Sequence, residues 1–200
     1  MSFLFWADFF YSQLFKTPPH PTTDFTGQTI IVTGSNSGLG FEAVRHFTRL
    51  NAEKVIMAVR SLEKGEVARK SVEESTQRKG VVEVWALDLA SYDSVKEFVK
   101  GAGTLKRLDA VVENAGISGG SQWDMYEDNE ALITTNVVST FLLAMLILPK
   151  LRETSARFNV TPRLSILTSE LHFTTDLPER KYPNIFEALN NEKTSSMNGR

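Results

Sequence analysis

The sequence predicts an α/β fold, a doubly wound parallel sheet of Rossmann type. Three observations point to it. Short β-branched runs alternate with segments whose apolar residues recur at helical spacing, and a glycine-rich turn sits where the first strand hands over to the first helix. Finally, 200 residues that are 42% hydrophobic and 23% charged suffice for one substantial core and are too few for two comfortable domains.

The chain opens on Phe3-Leu-Phe-Trp-Ala-Asp-Phe-Phe-Tyr-Ser-Gln-Leu-Phe15, followed by Pro18, Pro19 and Pro21. Interrupted by Asp8, this run falls short of the ~20 apolar residues of a membrane span, and it lacks the basic flank and small-residue cleavage site of a signal peptide. As a helix it would carry a narrow polar stripe of Asp8, Ser12 and Lys16. Two readings stand: residues 3–15 contact a membrane surface or cover an apolar pocket, or the segment folds back on its own core. Residues 1–26 are therefore set apart as an aromatic segment and Pro-rich linker, ahead of a nucleotide-binding domain over 27–170 and a polar tail over 171–200.

Thr29-Ile-Ile-Val-Thr33 is the first strand, and Leu39, Ala43, Phe47 and Leu50 mark a helix over 38–50. A strand at Val55 to Val59 precedes a polar helix from Ser61 to about Arg78, and a strand from Val81 to Leu87 precedes a helix near Ser91 to Lys100. Leu108 to Val112 reads as a fully buried strand. A long helix spans about Asn129 to Glu153, a fifth strand Leu164 to Thr168, and Ser169 ends it. Within the long helix, Phe141 to Leu148 is apolar on every face, so the sheet covers one side and a second subunit is the expected cover for the other.

Composition removes several function classes. The 22 basic residues against 24 acidic ones are scattered singly or in pairs, which leaves no patch for nucleic acid. Without cysteine there is no disulfide, thiol nucleophile or Cys-ligated zinc, consistent with a reducing, cytoplasmic setting, and His20, His46 and His172 lack metal-ligand spacing, so no metal is expected.

The turn Thr33-Gly34-Ser35-Asn36-Ser37-Gly38-Leu39-Gly40 is placed where backbone N–H groups and a helix dipole hold a pyrophosphate. Gly34, Ser37, Gly38, Leu39 and Gly40 are the candidate contacts; a turn without a ligand is the alternative. Recognition of NAD calls for a carboxylate at the end of the second strand, about 20 residues past the glycines, where it would repel a 2′-phosphate. Val59 stands there, followed by Arg60 and, one turn along, Lys64. NADP is the expected cofactor, with a merely solvated Arg60 as the alternative.

The spacing Thr33-Gly34-x-x-x-Gly38-x-Gly40 resembles that of the short-chain dehydrogenase/reductase family, and further matches follow in order: Asp88-Leu89, Asn114-Ala115-Gly116, Asn136 and Ser169. Each has a local alternative, as a helix cap, a turn or a satisfied backbone group. The resemblance covers roughly 27–170 and is closest to retinol-dehydrogenase-like and fungal secondary-metabolism members. It implies hydride transfer between NADP(H) and a carbonyl or alcohol carbon of a small organic substrate. Asp88 and Leu89 would contact adenine, Asn114, Ala115 and Gly116 would line the cofactor site, Ser169 would hold the substrate oxygen, and Asn136 would anchor a proton-relaying water. The family's Tyr-x-x-x-Lys motif is absent. Tyr182 stands thirteen residues after Ser169, but Phe186 occupies the fourth position beyond it, and Tyr11, Tyr92 and Tyr126 precede Ser169. The expectation is a chain truncated before that motif, missing the C-terminal strands and helices of the full fold, binding NADPH weakly or not at all productively, and inactive in hydride transfer by itself. A complete member would be a homo-oligomer. The alternatives are a cofactor-binding pseudoenzyme paired with an active partner, or different chemistry on the same fold.

Overall fold

The first strand, β1 (Thr29–Thr33), forms where the sequence predicts it, and all five of its residues are buried. In the computed structural model, which describes residues 3–119, 123–169 and 176–195, it lies at the centre of a five-stranded sheet. Its neighbours are β2 (Lys54–Val59) and β4 (Ala110–Glu113); β3 (Val82–Ala86) and β7 (Arg163–Ile166) form the edges, giving the order β3-β2-β1-β4-β7 with every pairing parallel. A two-stranded hairpin of β5 (Met125–Tyr126) and β6 (Asn129–Glu130) stands apart.

Alternation along the strands divides the core. Ile30, Val32, Val55 and Met57 face α2 (Gly38–Arg49) and α3 (Leu62–Thr76), whereas Ile31, Ile56 and Val111 face α4 (Tyr92–Gly103) and α6 (Thr140–Phe158). Helix ends follow local chemistry: Ser61 and Ser91 cap α3 and α4 through their hydroxyls, and Gln77 and Asn159 close α3 and α6 in the left-handed conformation.

Several boundaries differ from expectation, among them these three. The fourth strand starts at Ala110, and Leu108 is buried just before it, its N–H donating to Thr154 Oγ1 at 3.0 Å. The fifth ends at Ile166, although Leu167 N–H still reaches Glu113 O; as an edge strand it has a partner on one side only. The long helix gives its first residues, Asn129 and Glu130, to the hairpin. It then opens with a short α5 (Ala131–Ile133) capped by the Glu130 carboxylate, passes through a π-helical turn at Thr134–Ser139, and continues as α6 to Phe158.

Helix Ala131–Phe158 has the length and apolarity to cross a membrane. Here it is a core helix, with Leu143, Ile147 and Leu151 packed on the sheet and Phe141, Met145 and Leu146 exposed on its other side. At the N-terminus, α1 (Phe3–Phe15) forms as expected, with Trp6, Phe10, Tyr11, Leu14 and Phe15 exposed rather than folded into the core. Of the polar stripe, the side chain of Asp8 lies outside the described residues, as do 170–175 and 196–200 of the tail. The described part of the tail holds a 3-10 turn (Pro178–Lys181) and α7 (Ile185–Leu189).

Candidate functional site

From β1 the chain builds β2 and β3 to one side, then crosses to β4 and β7 on the other, so the switch in direction falls between β1 and β4. In such sheets the crevice beyond the strand ends at this switch receives the ligand. The glycine turn follows β1 and Asn114-Ala115-Gly116 follows β4, so both meet there.

They are fastened together. Thr33 Oγ1 accepts the N–H groups of Asn114 and Ala115 at 3.0 and 2.9 Å, and Asn114 Nδ2 donates to the carbonyls of Thr33 and Gly34 at 2.9 and 3.2 Å. Asn114 is thus a clasp across β1 and β4 rather than a local turn cap. Two glycines are required by this closeness: a Cβ on Gly34, whose φ is +62°, would sit 2.7 Å from Ala115 Cα, and one on Gly40 would collide with the Asn114 amide.

Helix α2 starts at Gly38. Its N-cap Ser37 makes no side-chain cap hydrogen bond, and its first turn holds no acidic residue. Nothing lies within 4 Å of where a Cβ on Gly38 would be, so the surface beside this residue is open. Leu39 is exposed in the same turn. A pyrophosphate fits this arrangement by charge and by space.

Val59 is buried at the end of β2, and Arg60 follows it, exposed. Lys64 stands in the first turn of α3 and shares a cavity of about 450 Å³ with Asn36 and Ser37 of the glycine turn and with Phe41 and Glu63. The cavity brings Lys64 to the turn, while Arg60 is not among its lining residues. Asn36 was not among the sequence candidates, although an amide inside a glycine-rich turn between strand and helix is a readable signal.

Asp88 is half-buried after β3, where Oδ1 accepts from Ala90 N–H at 3.0 Å and its own N–H donates to Ser94 Oγ. Leu89 belongs to the core on the α4 side, which leaves its backbone as the part available to a ligand.

Asn136 lies in the π-helical turn, a feature that recurs at functional sites. Its Oδ1 accepts from Ile117 N–H at 2.9 Å and its Nδ2 donates to Ile117 O at 2.8 Å, fixing the loop that follows Gly116. Both ends of the amide are engaged. Ser169 lies beyond the end of β7 and is exposed.

Tyr182 is 47% exposed after the 3-10 turn, its N–H donating to Glu179 O. Its segment is tied to the hairpin instead: Asn190 accepts from Glu130 N–H at 2.9 Å and donates to Asn129 Oδ1 at 2.8 Å, and Asn129 donates to Tyr92 Oη at 3.1 Å.

Glu113 escaped the sequence reading. Just before the clasp, on the α6 side of β4, it is 3% exposed, and neither carboxyl oxygen has a hydrogen-bond partner among the described residues. Burial pushes its pKa up to about 8. The Ser139 hydroxyl at the end of the π-helical turn is likewise buried and unpartnered. Among the described residues no group of three or more His, Asp or Glu side chains is placed to hold a metal ion.

The short chain dehydrogenase family profile matches residues 28–157. The short chain dehydrogenase/reductase dmxR8 of Cryptosporiopsis sp. is 49% identical over 191 residues, covering 94% of this chain and 59% of that protein. The short-chain dehydrogenase anuD of Penicillium roqueforti is 47% identical, covering 96% and 50%. The chain thus spans between half and three fifths of the length of these relatives. Among solved structures, a short chain dehydrogenase from Escherichia coli CFT073 complexed with NADPH aligns at a TM-score of 0.61 and 26% identity, over 80% of this chain and 65% of that one. The oxidoreductase yciK from Escherichia coli also aligns at 0.61 and 26%, over 82% and 65%.

Proposed function

Because the chain belongs to the short-chain dehydrogenase/reductase family, we propose that it is the nucleotide-binding part of a cytoplasmic, NADP-dependent oxidoreductase acting on a carbonyl or alcohol of a small organic substrate, with a role in secondary metabolism. The observation that carries the choice of NADP is the uncapped α2 N-terminus beside a β2 end where Val59 stands in place of a carboxylate and exposed Arg60 follows, with Lys64 in the first turn of α3. When bound, the nicotinamide supplies or accepts the hydride.

The residues of this chain do the holding. N–H groups at Gly38 to Gly40 receive the pyrophosphate, and Arg60 and Lys64 receive the 2′-phosphate. The Ser169 hydroxyl holds the substrate oxygen. Asn136 anchors a proton-relaying water, and its amide, engaged by Ile117, keeps the Gly116 loop in place.

Proton transfer calls for a Tyr-x-x-x-Lys segment, which these 200 residues lack. Positioned acid-base help is worth roughly 10²–10⁴-fold in rate, so turnover by this stretch alone is expected to be negligible.

Titration of NADPH and NADH into the chain and into Arg60→Ala tests the cofactor choice. NADPH is expected to bind more tightly by on the order of 10–100-fold, with most of that preference lost in the variant; equal affinities in the unmodified chain would refute it. NADPH oxidation with a reactive ketone or quinone tests the chemistry on three proteins: this chain, Tyr182→Phe, and a form carrying a Tyr-x-x-x-Lys helix after Arg200. Activity only in the third is expected. Turnover by the chain that vanishes in Tyr182→Phe would assign the proton to Tyr182.

A further inference from the structure

Helix α1 presents an apolar surface that nothing in the nucleotide site uses. Trp6, Phe10 and Leu14 form one row along it and Tyr11 and Phe15 an adjoining row. Their exposures are 38, 55, 72, 55 and 71%. At about 100° per residue these rows span roughly half the circumference. Ser12 and Lys16 lie on the remaining part. Phe9 is drawn against Trp6 and Phe10, with ring centroids 5.9 and 5.5 Å apart, so the rows are a continuous aromatic sheath.

The root of the helix is basic. Lys16 directly follows it, exposed, with its ammonium 5.9 Å from the centre of the Tyr11 ring. A few residues on, Arg49 of α2 donates to Pro21 O at 3.0 Å and contacts His46 Nδ1 at 3.3 Å, and the rings of His20 and His46 lie 5.9 Å apart. The Arg49 guanidinium thus meets a carbonyl and an imidazole rather than a carboxylate. The carboxylates nearby are engaged, Glu42 by Arg45 at 3.0 Å and Asp24 by Asn51 and Thr26.

We propose that α1 is an in-plane anchor that seats its aromatic half in the surface of an anionic phospholipid bilayer, with Lys16 and Arg49 on the headgroups. Three physical points select this occupant. A helix of 13 residues is about 20 Å long, too short for a hydrocarbon core of about 30 Å, so it enters one leaflet without crossing. Trp and Tyr rings with an adjacent Lys match the boundary between acyl chains and water, where the ring is buried and the polar tip stays wet. A half-circumference apolar surface ending in cations is complementary to lipid that is apolar below and negative above. The proposal is independent of the cofactor assignment.

Sedimentation of the 200-residue chain with phosphatidylcholine vesicles and with vesicles that also contain phosphatidylserine tests it. Two variants accompany it: Phe10→Ser/Leu14→Ser/Phe15→Ser and Lys16→Gln/Arg49→Gln. The chain is expected to pellet with the anionic vesicles and more weakly with the neutral ones. The serine variant should stay in the supernatant with both while keeping the circular dichroism and melting temperature of the parent. The glutamine variant should lose on the order of tenfold in affinity for the anionic vesicles and little for the neutral ones. Fluorescence of Trp6, isolated by comparison with Trp6→Phe, should shift to the blue on binding. An unmodified chain that stays in the supernatant, or a serine variant that pellets as well as the parent, would overturn the proposal. So would lipid-free self-association that the serine variant abolishes, since that outcome assigns the surface to a second copy.

Discussion

Glu113 holds a carboxyl in a place that disfavours its charge, and this sets a sign for its effect on stability. Folded, it keeps its proton up to about pH 8; in the unfolded chain it releases it near its ordinary value of 4.5. The native state therefore binds the extra proton between those values, and stability falls as pH rises through that window and levels off above it. Glu113→Gln, which keeps the shape without the ionisation, is expected to match the parent near pH 4.5 and to exceed it at pH 8 by on the order of 2–4 kcal/mol. Urea unfolding of both proteins at the two pH values checks this, and a constant difference would count against it. Among single residues, legibility depended on where the partner lay. Gly34, Gly38 and Gly40 were readable because a turn between strand and helix constrains its own residues. Glu113 was not, because a glutamate at a strand end reads as solvated until the helix covering it is placed. Asn136 was readable as a site residue, but its partner Ile117 lies nineteen positions away.

At the level of elements, the joint between β1 and β4 has no slack. Gly40→Ala places a methyl against the Asn114 amide and the Gly34 carbonyl, so the clasp must open or α2 must shift. The expected cost is about 1–3 kcal/mol with a parallel loss of nucleotide affinity. Gly103→Ala, at a helical site with nothing within 4 Å, serves as the comparison. Chemical denaturation and nucleotide titration on both variants read the result, and equal behaviour would show that the joint yields. The strands were legible in proportion to their burial. Every residue of β1 is covered on both faces, so its apolar run coincides with its limits. β7 has exposed Arg163 and Ser165 and one neighbouring strand, and there the apolar run overshoots the ladder. The helix predicted at 129–153 was found as a helix, but periodicity registers neither a two-residue hairpin strand nor a π-helical turn. The first is set by a contact between Tyr126 and Asn129, the second by a local change in hydrogen-bond span.

For the molecule as a whole, the apolar run of α6 is half accounted for. Leu143 and Ile147 are in the core, while Phe141 and Met145, 56 and 66% exposed and one turn apart, stand outside it. We propose that a second copy covers them. The chain should then associate at micromolar concentration, and Phe141→Glu/Met145→Glu should return it to a monomer by light scattering; a clean monomer of the unmodified chain would argue against this. The clasp also bears on the order of events in folding. The Thr33 hydroxyl receives N–H groups 81 and 82 positions further along the chain. The glycine turn is therefore not fastened in a growing polypeptide until β4 has been synthesised and laid beside β1, a closure whose entropic toll rises only slowly with loop length. A nucleotide bound at the finished joint would act as a latch, slowing escape from the native state while leaving the refolding rate untouched. Stopped-flow traces with and without nucleotide would show one arm of the chevron moving and the other standing still.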